Sequence, residues 1–308
     1  AEASRQRLAE LERNLAVAYQ RKGDYVSAIE HFDQALEHLG RRKTGATKKI
    51  DALSGLLVLL RWLYLPQAWP KREMAPKELL EKEILHARSW ALSVVDSTEW
   101  ALTALSTVRR MLRSRIDVNE SDFALFHDVS LVPTSLGVLG GVSRRLQNRV
   151  AELSDAEHHR CLNANSELWI YFVFGVGNPS YQSEVLNHFV TTGDLQRSSF
   201  YLDFWSMILL NQGNFDRSIR VAAELKRIAE EYQNPASLVF YHEVVTLALF
   251  GQGRYHEALK AAEVLVSSSE RLGQTTVRKL YLAHLVRPMI ELGELERAKP
   301  LIEEIEEL

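Results

Sequence analysis

The sequence has one cysteine, Cys161, in 308 residues, so no disulfide can form within the chain. Such thrift fits a reducing, cytoplasmic setting. It also lacks a surplus of positive charge. Its 37 Lys and Arg stand against 40 Asp and Glu, a net charge of −3, and without a basic excess to neutralise phosphates no nucleic-acid partner is expected. Nor is there a long hydrophobic run. The greasiest stretch, "IDALSGLLVLLRWLYL", carries Asp51 and Arg61 within sixteen residues, short of the ~20 apolar residues that span a bilayer; no membrane partner is expected. No signal peptide and no methionine opens the chain, which begins "AEASRQRLAELERNL" already in helical pattern and reads as a piece of a longer protein. What remains is 46% hydrophobic and 25% charged, the composition of an ordinary globular protein. A single core stops growing at roughly 250–300 residues, so two domains or an extended array is required.

Motifs for chemistry are equally scarce. "GRRKTGATKK" resembles a phosphate loop, but Ala46 and Thr47 follow Gly45 where such a loop needs lysine and then a hydroxyl residue, and a helical pattern precedes it instead of a strand. Gly40 is better read as a helix stop, with Arg41, Arg42, Lys43, Lys48 and Lys49 as a solvated linker. "FVFGVGNPS" offers Gly175 and Gly177 but Ser180 in place of the third glycine of a dinucleotide turn, and Pro179 suits the first position of a helix. "AEHHRC" places His158 and Cys161 on one helical face, yet zinc needs two further ligands and no second cluster supplies them. Nucleophile elbows, zinc-protease patterns and calcium loops are missing. The chain is therefore read as no enzyme, with no cofactor, no metal and no catalytic residue.

The strongest positive signal is a repeat. Gly213, Gly253 and Gly293 lie 40 residues apart in "ILLNQGNFDRSIRVAAEL", "ALFGQGRYHEALKAAEVL" and "MIELGELERAKPLIEEI", and "AYQRKGDYVSAIEHFDQAL" presents Gly23 in the same setting. Each glycine can take the left-handed conformation that closes a helix. Asp24 or Asn214 then suits the cap of the next helix. A large residue follows (Tyr25, Phe215, Tyr255, Leu295), then a small one (Ala28, Ser218, Ala258, Ala298) that lets antiparallel helices approach to about 8–10 Å. Each unit reads as a helical hairpin.

These hairpins resemble the tetratricopeptide repeat. The first matches best, with Leu15, Ala16 and Tyr19 on one helix and Ala28, Phe32 and Ala35 on the next; the later three place Trp205, Val245 and Leu285 where Leu15 sits, and Ala222, Ala262 and Ile302 where Phe32 sits. The reading is all-α: a right-handed superhelical array of antiparallel hairpins, with a repeat at 1–40, a divergent helical region at 41–192 and three repeats at 193–308, one continuous solenoid. In the middle, helical pattern breaks at "LPQAWPKREMAP", "DVNES", "LVPTS" and "GVGNPS". "LLVLLRWLYL" and "LWIYFVFGV" fit strands as well as helices, and flanking pattern favours helices. As a whole, the order of features resembles the C-terminal repeat region of large multidomain signalling ATPases, in which cyclase or kinase domains precede a nucleotide-binding switch.

The tetratricopeptide resemblance implies a groove lined by first-helix positions: Glu10, Arg13 and Val17, then Phe200, Asp203 and Met207, then Phe240, Glu243 and Leu247, then Leu280, Ala283 and Arg287. The Lys and Asn clamp that some such repeats use for a terminal carboxylate is missing. The apolar stripe instead suits a protein or peptide partner, or another domain of the same chain. The function expected is a non-catalytic interaction and regulatory module in signal transduction. The alternative is a sensor whose divergent middle encloses a small molecule or peptide, with Trp62, Trp69, Trp90, Trp100, Trp169 and Trp205 as candidate pocket aromatics. Leu301, Ile302, Ile305 and Leu308 form a C-terminal stripe that a further repeat or a homodimer mate would cover. Pro288 and Pro300 are expected to weaken the last helices.

Overall fold

The computed structural model describes residues 2–41, 45–65, 74–113, 120–135, 140–152, 156–274 and 277–307. Among these residues there are fifteen helices and no strand. They fall into two compact units. The first holds α1 (Glu2–Arg21), α2 (Tyr25–His38), α3 (Gly45–Tyr64), α4 (Pro76–Val95), α5 (Ser97–Arg113), α6 (Glu120–Ser135), α7 (Gly140–Ala151) and α8 (Glu157–Phe174). The second holds α9 (Ser183–Thr191), α10 (Leu195–Asn211), α11 (Phe215–Glu231), α12 (Pro235–Gly251), α13 (Tyr255–Arg271), α14 (Arg278–Glu291) and α15 (Leu295–Glu307). Both apolar runs that fitted strands are helical, within α3 and α8.

In the second unit one turn recurs. Gly193, Gly213, Gly253 and Gly293 have φ between 74° and 75°. After α10, Gly213 N–H donates to Leu210 O at 2.9 Å and Asn214 N–H to Leu209 O at 2.8 Å, the paired bonds that satisfy the last carbonyls of a helix. The same pair closes α12, where Gly253 N–H reaches Phe250 O and Arg254 N–H reaches Leu249 O. Gln233 (φ 52°) and Gly273 (φ 63°) occupy the equivalent place between one hairpin and the next. The 40-residue repeat is thus two bricks, each a helix of 17 residues, as in α10, α11, α12 and α13, closed by a left-handed residue. Asn214 caps α11 without a side-chain hydrogen bond. Asp194 and Asn234 do accept bonds from the first turn of their helices, Asp194 from Arg197 N–H at 3.1 Å and Asn234 from Ala236 N–H at 3.1 Å.

Packing follows the small positions. Ala28, Ser218, Ala258 and Ala298 are all at most 1% exposed, and Ser218 Oγ donates to Ser206 O at 2.9 Å across the α10–α11 pair. The large residue beside each turn is more varied: Tyr25 is buried, Phe215 and Tyr255 are half-buried, and Leu295 is exposed. On α1, Ala16 is buried and Tyr19 stacks on His31, whereas Leu15 is exposed. Both late prolines lie inside helices that continue through them, Pro288 in α14 and Pro300 in α15. Leu301 and Ile305 of α15 pack on the Leu285–Met289 cluster of α14 while Ile302 is exposed; Leu308 lies outside the described residues.

The first unit departs from a simple succession of hairpins. Helices α1 and α2 pair, and α4 packs on both; α3 pairs with α5 instead of α4, and α6 packs on α7 and α8. The α3–α5 crossing is made by backbone: a Cβ on Gly55 would stand 1.9 Å from Leu105 O. The break expected at "LVPTS" falls at its last residue: α6 runs through Pro133 and ends at Ser135. Residues 126–134 of that helix are buried throughout, and Thr134 Oγ1 donates to Ser130 O and meets Ser143 Oγ of α7, each at 3.0 Å, so packing outweighs the lost backbone bond. Helix α9 begins at Ser183, four residues beyond the expected start at Pro179.

Two substitutions and a control probe these devices. Gly55→Ala should lower stability by about 1–3 kcal/mol or more, because the added methyl meets main chain that cannot rotate away; Gly141→Ala, where a Cβ meets nothing within 4 Å, should not, and thermal unfolding compares them. Gln233→Gly should raise the melting temperature by a few degrees, since a side chain in the left-handed region costs roughly 1–2 kcal/mol, less what glycine loses in the unfolded chain.

Candidate functional site

Helices α10, α12 and α14 are the first helices of successive hairpins, and α12 packs on both others. Along α10, Phe200, Asp203 and Met207 share a face, as Phe240, Glu243 and Leu247 do on α12, one helical turn separating each member. The structure brings the two rows together at Phe200 and Phe240, whose ring centroids are 5.3 Å apart. Burial decreases along the series. Phe200, Asp203 and Met207 are buried, Phe240 and Leu247 half-buried around a buried Glu243, and Leu280 and Arg287 exposed.

The third row is displaced. Helix α14 starts at Arg278, three residues later than the twenty-residue step from Tyr255 would place it. Tyr281 and His284 face α12, one position beyond Leu280 and Ala283. Tyr281 packs with Val239 and Leu265, and His284 Nε2 lies 3.6 Å from Glu243 Oε1. Sequence reasoning missed both. No sequence signal marked the change, since Gly253 and Gly293 keep the 40-residue spacing.

Asp203, Glu243 and His284 therefore form a buried ladder across three helices, 7%, 7% and 5% exposed. Asp203 Oδ1 and both His284 ring nitrogens have no hydrogen-bond partner. Burial, and next the Glu243 charge, hold the Asp203 carboxyl well above its usual range. Burial does the same to the Tyr281 phenol, followed by the charges of Glu243 and Asp203 and a hydrogen bond toward Glu243. A buried carboxylate beside another without a cation is disfavoured.

In the first unit the corresponding Arg13 and Val17 are half-buried. Arg13 Nη1 pairs with Glu83 Oε2 at 2.5 Å, and Val17 packs against the cluster formed by α1, α2 and α4. The "GRRKTGATKK" stretch is a joint: Gly40, φ 82°, follows α2 and Gly45 opens α3, while Arg42 and Lys43 lie outside the described residues. Lys48 Nζ pairs with Glu99 at 2.6 Å, beside a cleft of about 260 Å³. Arg88 crosses its wall, donating to Asp33 at 2.7 Å and to Thr103 Oγ1 at 3.2 Å. These pairs tie α2, α3, α4 and α5 together.

Gly175 (φ 65°) closes α8 as a turn. Among the described residues no group of three or more His, Cys, Asp or Glu is placed to hold a metal ion. Cys161 is buried, and burial, then Glu157, push its thiol up against a smaller opposing effect of Arg160. Of the tryptophans, Trp100 and Trp205 are buried, Trp62, Trp90 and Trp169 half-buried, and Trp69 lies outside the described residues. No described helix is long and apolar enough to cross a membrane.

The ladder has a pH signature. A carboxyl whose pKa is raised by folding binds more protons folded than unfolded, so its contribution is fully present below the ordinary value near 3.8 and is lost as pH rises through the raised value. Asp203→Asn, which keeps the shape without the charge, should be more stable than the parent at neutral pH. That advantage should shrink toward pH 4, as followed by thermal unfolding across the range.

Residues 9–40, spanning most of α1 and all of α2, match the tetratricopeptide repeat family. No curated protein matches the sequence. With that match in the first hairpin and helical hairpins in the second unit, the protein is an all-α, tetratricopeptide-like helical-repeat protein.

Proposed function

We propose that the protein is a non-catalytic interaction and regulatory module whose docking surface is the α10–α12–α14 face of the second unit. Tetratricopeptide repeats generally mediate protein–protein interaction, and stacked repeats leave an extended face free because each contacts only its neighbours. The observation that carries the reading is the same ordered series on two successive hairpins, aromatic then carboxylate then apolar, with Leu280 47% exposed at the margin. The occupant is a protein segment, from a partner or from another domain of the same polypeptide. The order of features along the chain supports a place as the regulatory arm of a multidomain signalling ATPase in the cytoplasm.

A second reading is a small-molecule sensor in the first unit. It rests on a cleft of about 670 Å³ between the end of α3 and α7, within the size of ligand sites. Trp62 forms part of the wall, and the Arg145 guanidinium lies 4.5 Å from the centre of the Tyr64 ring.

A photo-cross-linking residue at position 280 tests the docking surface. Adducts with a protein of the source organism are expected, and they should vanish in Leu247→Glu while circular dichroism shows unchanged helicity. Adducts that persist in the variant, or none at all, would remove this face. Saturable quenching of tryptophan fluorescence by a small molecule, without adducts, would favour the sensor.

A further inference from the structure

We propose that the Asp203 and Glu243 carboxylates are the receptor for one lysine or arginine side chain, presented between apolar neighbours by the segment that docks on the α10–α12–α14 face. This rests on the interaction reading above and adds the chemistry of the partner.

Three observations lead to it. The first is charge without compensation. Asp203 forms no ion pair among the described residues, and the groups facing Glu243 are the Tyr281 hydroxyl, which is neutral, and the His284 imidazole at 3.6 Å, which carries charge only when protonated. By contrast Arg88, 8% exposed at its side chain, has Asp33 and Glu99.

The second is an unused set of polar atoms. His284 is 5% exposed and directed at Glu243, with neither ring nitrogen hydrogen-bonded, and Asp203 Oδ1 is likewise unpartnered. Polar groups shielded from water in this way are normally satisfied. A guanidinium or ammonium supplies several donors in one group, and both carboxylates can accept from it.

The third is the setting. Phe200 and Phe240 lie one turn before the carboxylates, and Leu247 lies one turn after Glu243. A partner side chain that places a cation on the pair brings its own neighbours onto these apolar surfaces, the pattern that anchors helices and strands in grooves. Burial and next the Glu243 charge raise the Asp203 carboxyl; a cation on the pair opposes both by favouring the charged form, so docking and proton release are coupled.

Panning a phage library of random dodecapeptides against the intact chain tests the proposal. Enriched peptides should share a Lys or Arg flanked by apolar residues, and their affinity should fall about tenfold or more on Asp203→Asn/Glu243→Gln, the loss typical of a desolvated charge pair. Circular dichroism confirms folding of the double variant; if it fails to fold, Asp203→Asn alone serves. Enriched peptides without a basic residue, or peptides bound equally by the variant, overturn this inference and leave the interaction reading intact. Failure of the parent chain to enrich any peptide overturns both.

Discussion

The left-handed residue that closes each helix from α9 to α14 is the constraint on which the second unit's architecture depends. An α-helix ends with unsatisfied carbonyls, and a φ near +75° at Gly193, Gly213, Gly253 and Gly293 returns two amides to them while reversing the chain. Once the reversal is fixed, the small residue a few positions later sets how near the next helix can lie. Ser218, Ala258 and Ala298 are accordingly without appreciable exposure. Turn chemistry thus comes before core packing in the causal order, and the apolar faces are brought together by it.

Much of this was legible because glycine and alanine mark backbone needs that few other residues meet. The 40-residue spacing, the hairpins and the helical class all follow from them. The finer twenty-residue period was hidden, since Gln233 occupies a place where a glycine would have revealed it. The middle was less readable: Pro133 signals a break, yet the burial of residues 126–134 carries α6 through it. The partnering of α3 with α5 leaves no local trace at all, since it depends on a contact between positions about fifty residues apart, Gly55 and Leu105. Of the first-helix positions, those on α10 and α12 were placed together as their spacing implied. Those on α14 were not: Tyr281 and His284 face α12 in place of Leu280 and Ala283.

The ladder sits where stability and recognition pull apart. Replacing Asp203 and Glu243 with apolar residues would remove a desolvation cost, and the surrounding Phe200, Phe240 and Met207 would accept such residues. Keeping two acids and an imidazole there is a local conflict of the kind that marks functional positions in otherwise self-consistent folds. The contrast with Arg88, which ties three helices together through satisfied pairs, separates a structural use of buried charge from one that awaits a complement.

The meeting of Gly55 with the Leu105 carbonyl has a consequence for how the first unit can change over evolutionary time. A crossing held by main chain against main chain imposes no shape on the surrounding side chains beyond the absence of one methyl. Mutational drift can therefore erase the repeat signature from the neighbouring segments while the two helices stay where they are. A domain can lose its family resemblance in this way and still keep its geometry.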